Sequence, residues 1–251
     1  MKFPKIADMS SENIITFGSC LSRYVARSYK RLYAGEIVSS IYHNRSDYFV
    51  NSLLDNTNSA VKIGAFETLI EKKECVDADE DIRNIVLNQT VAGVGLHKID
   101  GTQNLFDMLN HTKIDMIIVD NFMDISGRLS SGLGLNCFLR PNDYKNYHEH
   151  FVLGGYISAE NSAKYFSRIL DFFLEKAPHA KIFFLHFPWN TYADKRRKSR
   201  SVTFASQFRD TRAIIVPPQS IPKIYRTKVS SHFREPQYTA YAGMIRAFRA
   251  M

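Results

Sequence analysis

Residues 14–32, IITFGSCLSRYVARSYKRL, constrain the chain more than any other stretch. Ile14, Ile15, Thr16 and Phe17 make a short apolar, β-branched run, the pattern of a buried strand. Gly18 breaks it. From Leu21 the apolar residues recur as Leu21, Val25, Tyr29 and Leu32, which is a helical period, and Arg23, Arg27, Lys30 and Arg31 supply an opposite, basic face. A strand, one tight turn and a helix expose a side chain at the end of a sheet, beside helix N–H groups that have no intrahelical partner. Ser19 and Cys20 occupy that turn. A thiol there has its thiolate favoured by the helix dipole, and the thiolate is the nucleophilic form.

Further strand signals alternate with helical ones. Glu36–Ile41 reads as a second strand, and Ile82–Leu87 as a strand-like run ending in the small residues of NQTVAGVG. Asp115–Asp120 (DMIIVD) reads as a buried strand. Ser158 caps a helix reaching about Lys176, with Phe166, Ile169, Leu170 and Phe173 inward. Lys181–Phe187 is a central strand and Ala213–Val216 the last one. Pro236 suits the first turn of a closing helix that buries Tyr238, Tyr241, Ala242, Ile245 and Phe248. This alternation predicts a three-layer α/β/α domain with a mainly parallel sheet, spanning 1–251 as one unit. Residues 126–156 lack a clean period and are rich in glycine, tyrosine and histidine, the composition of a lid or substrate wall.

Charge is unevenly placed. Residues 1–190 carry 20 Lys and Arg against 22 Asp and Glu, whereas residues 191–251 carry 13 against 3. The basic excess therefore lies in the last quarter, and points to an anionic ligand such as a phosphate-bearing cosubstrate or an acidic glycan. Arg196, Arg197 and Arg200 follow a strand end and are candidate anion ligands. His43 and Arg45 sit at another strand's C-terminal end, where open α/β sheets hold their ligands. Three widely spaced cysteines (Cys20, Cys75, Cys137) without a C-x-x-C argue against a disulfide scaffold or a cysteine zinc site, and fit a reducing, cytoplasmic setting. His148-Glu149-His150 places two imidazoles on one side of a strand, but no third ligand accompanies them, so no metal is expected. No run approaches the 18 apolar residues of a membrane span, and Met1–Ser10 lacks a signal-peptide centre. The basic run has no interleaved aromatics, so nucleic acid is not the expected partner.

The block ITFGSCLS resembles the first block of the SGNH (GDSL-type) hydrolases, and its G-S-C form is similar to that of the GSCFA branch and to the G-N-C of WcbI-type capsule polysaccharide enzymes. Leu21-Ser22 stands where GSCFA proteins have Phe-Ala. Aligned on Gly18 and Leu21, the resemblance makes Cys20, next to Ser19, the nucleophile. It implies oxyanion donors at Gly93 (or Gly95) in the second block and at Asn121 in the third, with Asp120 as the alternative polar position. Ser230–Pro236 resembles the last block, in which His232 is the base; the block's aspartate falls on Val229. His186, inside the apolar FFLHF, reads instead as a hydrogen-bonded core histidine. The resemblance implies acyl transfer or ester hydrolysis on a bacterial surface or capsular polysaccharide. No cofactor is required, and acyl-CoA is a possible donor. The rival reading is a catalytically degenerate relative that binds CoA or an anionic saccharide.

Overall fold

The computed structural model describes residues 11–62 and 79–250. Its strands, in chain order, are β1 (Glu12–Gly18), β2 (Gly35–Tyr42), β3 (Met116–Asp120), β4 (Leu129–Gly132), β5 (Leu135–Phe138), β6 (Val152–Leu153), β7 (Lys181–Leu185) and β8 (Ile214–Val216). Five of them form one sheet in the order β2-β1-β3-β7-β8, every pairing parallel. Helices cover both faces, giving the mixed α/β architecture that the alternating pattern predicts. Each strand's side chains divide by period two. Ile15, Phe17, Ile117, Val119 and Phe184 join one core with Phe166, Ile169, Leu170 and Phe173 of the long helix Ala159–Lys176. Ile14, Met116, Ile118, Phe183 and Leu185 join the other, with α1 (Cys20–Tyr33) and the closing helix Glu235–Ala250. Each fully buried aromatic contributes roughly 1.5–3 kcal/mol relative to exposure.

The parallel register brings Gly18, Tyr42 and Asp120 level at the carboxyl edge of the sheet, since Gly18 pairs with Tyr42 and Phe17 with Val119. That edge is where the turn carrying Ser19 and Cys20 emerges.

Several local expectations need correction. Ile82–Leu87 lies in a helix, Asp79–Leu87, and not in a strand: Ile82, Ile85 and Val86 are buried at helical spacing. His148-Glu149-His150 lies in a short helix, Tyr147–His150, so its imidazoles share no strand face. Residues 126–156 contain a small antiparallel sheet, β5-β4-β6. On α1, Leu32 is exposed, and Arg23, placed by sequence on the basic face, is buried. Cys75 and the rest of 63–78 lie outside the described residues.

Gly18 has φ +136°, and a Cβ added there would lie 2.6 Å from both the carboxyl carbon and the main-chain oxygen of Asp120. Gly18→Ala should therefore lower stability by at least about 2 kcal/mol, seen as a fall in the urea midpoint. An unchanged midpoint would show that the turn has room this geometry denies it.

Candidate active site

Ser19 caps α1: its Oγ accepts from Leu21 N–H at 3.1 Å. The same hydroxyl donates to Asp120 Oδ2 at 3.1 Å, so it is committed to holding the turn. Asp120 Oδ2 also accepts the N–H groups of Ser19 (2.8 Å) and Ser22 (2.9 Å), and Oδ1 accepts Phe122 N–H at 3.0 Å. Burial raises the Asp120 pKa while the backbone donors oppose that rise. At the start of α1 the N–H groups of Ser19 and Ser22 are thus given to a buried carboxylate, and that of Leu21 to the Ser19 hydroxyl. Among the described residues the N–H of Cys20 has no protein acceptor.

The Cys20 side chain, 6% exposed, opens into a cavity of about 480 Å³. His232, from the loop before the closing helix, places Nε2 3.2 Å from Sγ. Tyr42 Oη is 3.5 Å from Sγ on the other side and donates to Asp81 Oδ1 at 3.0 Å, which is held in turn by Arg140 at 2.8 Å. His43 stands against the thiol as well, and both of its ring nitrogens are buried without a hydrogen-bond partner. Arg23 lies beneath, its guanidinium 5.0 Å from the Tyr42 ring centroid and touching His97.

Burial alone raises the Cys20 pKa, but His43, Tyr42 and the Arg23 charge favour the thiolate and bring it below the ordinary thiol value. The His232 pKa is lowered by burial and then by Arg23, with Asp81 opposing. At neutral pH His232 is therefore an unprotonated imidazole beside a thiol disposed to ionise, which is a nucleophile–base geometry.

Other candidates fall elsewhere. Gly93 N–H donates to Thr90 Oγ1 at 2.9 Å, and Gly95 N–H to Asn88 Oδ1 at 2.9 Å, so neither is available to an oxyanion. Asn121 is 1% exposed, accepts Phe187 N–H at 2.8 Å, and lies with Nδ2 3.2 Å from His186 Nδ1. His186 is fully enclosed and pushed down to about 4 by burial. Arg45 is bound to Asp47 and to the carbonyl of Gly155. Arg200 ties the carbonyls of Asp124, Ile125 and Ile157 together, so both arginines brace the fold in place of binding an anion. Arg196 is exposed, while Arg197 alone of its run reaches the Cys20 cavity, as does His43. Among the described residues no group of histidine, cysteine and carboxylate side chains is arranged to hold a metal. No described helix is long and apolar enough to cross a membrane.

Sequence reasoning passed over Tyr42, Asp81 and Arg23. Asp81 was detectable only through the helical spacing of Ile82, Ile85 and Val86, which carries it into a helix facing the site.

No family model matches the sequence, and no curated protein matches it. Among solved structures the chain is similar to an acetyl xylan esterase from the rumen bacterium Butyrivibrio proteoclasticus, at 11% identity and a TM-score of 0.44. That likeness covers 96% of this chain and 63% of the other, so this chain spans less than two thirds of that structure's length.

Cys137 provides an internal comparison, since burial without compensation pushes its thiol up to about 12. Iodoacetamide should modify Cys20 at least about 100-fold faster than Cys137 at pH 7.5, with a pH midpoint below the ordinary thiol range. The rate rises as pH passes the Cys20 pKa and then levels. Tyr42→Phe should move that midpoint upward. Site-resolved mass spectrometry measures both, and equal labelling of Cys20 and Cys137 would contradict this picture of the site.

Proposed function

We propose that the chain is an SGNH-like acyl-transfer enzyme or esterase working through a thiol, with Cys20 as nucleophile and His232 as base. The 3.2 Å separation of Sγ and Nε2 between residues 212 positions apart carries this reading. Sγ gives its proton to His232 Nε2 and bonds to the acyl carbon, while the carbonyl π electrons move to oxygen. The tetrahedral adduct collapses, and the bond to the leaving oxygen or sulfur breaks as that atom takes the proton from Nε2. An acceptor hydroxyl or water then gives its proton to Nε2 and attacks the thioester, and the thiolate departs. The Cys20 N–H, which has no protein acceptor among the described residues, supports the oxyanion. Among the described residues no carboxylate is hydrogen-bonded to His232, and the acidity of the thiol makes that partner less necessary than it is for serine.

The proposed substrate is a sugar of a bacterial surface or capsular polysaccharide in the cytoplasm, which either accepts an acyl group from acyl-CoA or, in the esterase reading, loses one to water. Its support is the resemblance at Gly18-Ser19-Cys20 and the basic final quarter of the sequence. A second cavity, about 680 Å³, shares Tyr24, Val229 and His232 with the Cys20 cavity and is also lined by Arg27, Arg31, Lys228 and Tyr238, which gives a second reactant room beside the base. The occupied state of Gly93 and Asn121 favours the rival, a binding protein retaining the fold.

Incubation with p-nitrophenyl acetate separates the two readings. Intact-mass analysis should show one acetyl group on the wild-type protein and none on Cys20→Ala. His232→Ala should slow acetylation by about 10²–10⁴-fold. A wild-type chain that labels rapidly with iodoacetamide but never carries the acetyl group would favour the binding protein.

A further inference from the structure

The acyl-transfer reading leaves the oxyanion one donor short. The two donors implied by the family resemblance are both engaged: Gly93 N–H with Thr90 Oγ1, and Asn121 Nδ2 with His186 Nδ1, while Asn121 Oδ1 accepts Phe187 N–H and so fixes the amide. A tetrahedral adduct on Sγ would meet the Cys20 N–H and would need a second donor within the same cavity.

Of the groups lining the Cys20 cavity, His43 and Arg197 both hold buried side-chain nitrogens without a hydrogen bond among the described residues, but Arg197 is paired with Asp194, whereas His43 stands against the thiol itself and favours its ionised form. Buried polar side-chain atoms are nearly always paired, so an imidazole beside the thiol that no neighbouring group engages is placed to bind an oxygen carried on Sγ. Its orientation is fixed from three directions. The ring lies at 29° to Phe138 with centroids 5.8 Å apart, and edge-on to Tyr42 at 4.0 Å. The backbone N–H of His43 donates to Gly18 O at 2.8 Å, tying the residue to the nucleophile turn itself. The main chain adopts φ +56° to make this placement, a region that non-glycine residues enter rarely although histidine, asparagine and aspartate enter it more than others, and sparsely populated conformations of this kind gather at functional sites. Two neighbouring polar groups are already engaged: Tyr42 Oη lies between Asp81 and Cys20 Sγ, and Arg140 is held by Asp81 and Asp143.

From this placement, and resting on the proposed acyl-transfer function, we infer that His43 is a catalytic residue, the second donor of the oxyanion hole. As Sγ bonds to the acyl carbon, the carbonyl oxygen gains the electron pair of its π bond and accepts hydrogen bonds from the Cys20 N–H and from the ring N–H of His43. On collapse the pair returns to the carbonyl, the leaving group departs with the proton held by His232, and His43 keeps its own proton throughout. The two histidines therefore divide the work: His232 moves a proton and His43 stabilises charge.

The test separates stabilisation of an oxyanion from ionisation of the thiol. Alkylation by iodoacetamide is displacement at a saturated carbon and forms no oxyanion, whereas acetylation by p-nitrophenyl acetate does. Both rates are measured at the alkaline plateau of each variant's alkylation profile, where Cys20 is fully ionised whatever His43, His232, Tyr42, Arg23 and Asp81 contribute to its titration. His43→Gly removes the donor without backbone strain, and His43→Asn restores an N–H on a residue that tolerates positive φ. Plateau alkylation should stay within about twofold of wild type, while acetylation in His43→Gly should fall by about 10²–10³-fold. His43→Asn should regain at least about tenfold of that loss. Wild-type acetylation rates in His43→Gly would overturn the inference and leave the function intact. A wild-type protein that alkylates but does not acetylate would overturn both. A parallel fall in alkylation and acetylation would assign His43 to packing and overturn the inference alone.

Discussion

The Asp120 carboxylate is the interaction on which the rest of the site depends. It is buried at the end of β3 and gathers the N–H groups of Ser19, Ser22 and Phe122 together with the Ser19 hydroxyl. A buried carboxylate is costly unless it is fully hydrogen-bonded, and four donors offset that cost here. In exchange it fixes the direction in which α1 leaves the sheet, and hence where Cys20 points. The contact also explains the glycine before it. Gly18 lies so close to Asp120 that no side chain fits between the two strand ends.

This arrangement changes why the thiol is acidic. A helix N-terminus is expected to stabilise the thiolate through its N–H groups and dipole, yet the N–H groups of Ser19 and Ser22 turn to Asp120 and that of Leu21 to the Ser19 hydroxyl. The stabilisation comes instead from side chains: His43 and Tyr42 at the thiol, with Arg23 below. At about 4 Å and an effective dielectric of about 20, one charge is worth about 4 kcal/mol to another, enough to reverse a desolvation penalty of several pKa units. Cys137 shows the outcome when burial acts unopposed, its thiol standing near 12. The same Arg23 charge lowers the His232 pKa, so a single buried cation favours both the thiolate and the neutral base.

Periodicity made the frame legible. The apolar runs at Ile14, Met116 and Phe183 give the central strands, and the long helix capped by Ser158 lies where its pattern indicates. The turn carrying Cys20 was legible because a glycine between a β-branched run and a helical period leaves few alternatives. The position of His232 beside it was reached through block order, since no local pattern links residues so far apart. What escaped were residues whose meaning exists only in three dimensions. Arg23 looks like one more cation on a basic face, until His97 and Asp100 close over it. Asp81 belongs to an acidic run that gives no sign of its hydrogen bond to Tyr42. Conversely, Gly93, Asn121, Arg45 and Arg200 have the right chemistry in the right order, but their donors are absorbed by a neighbouring hydroxyl, imidazole, carboxylate and carbonyl in turn. Sequence shows which groups a chain has; it does not show which of them the fold has already used.

The central claim is that Cys20 and His232 form an acylating pair at the carboxyl edge of the sheet. Its most direct test is a crystal structure of the wild-type protein trapped after reaction with an activated acetyl ester. The account predicts continuous density from Sγ of Cys20 into a thioester, with the carbonyl oxygen towards the Cys20 N–H and His43, and with His232 Nε2 on the side from which the leaving group departs. An unmodified thiol at full occupancy of the donor, or an acyl group on another side chain, would contradict it.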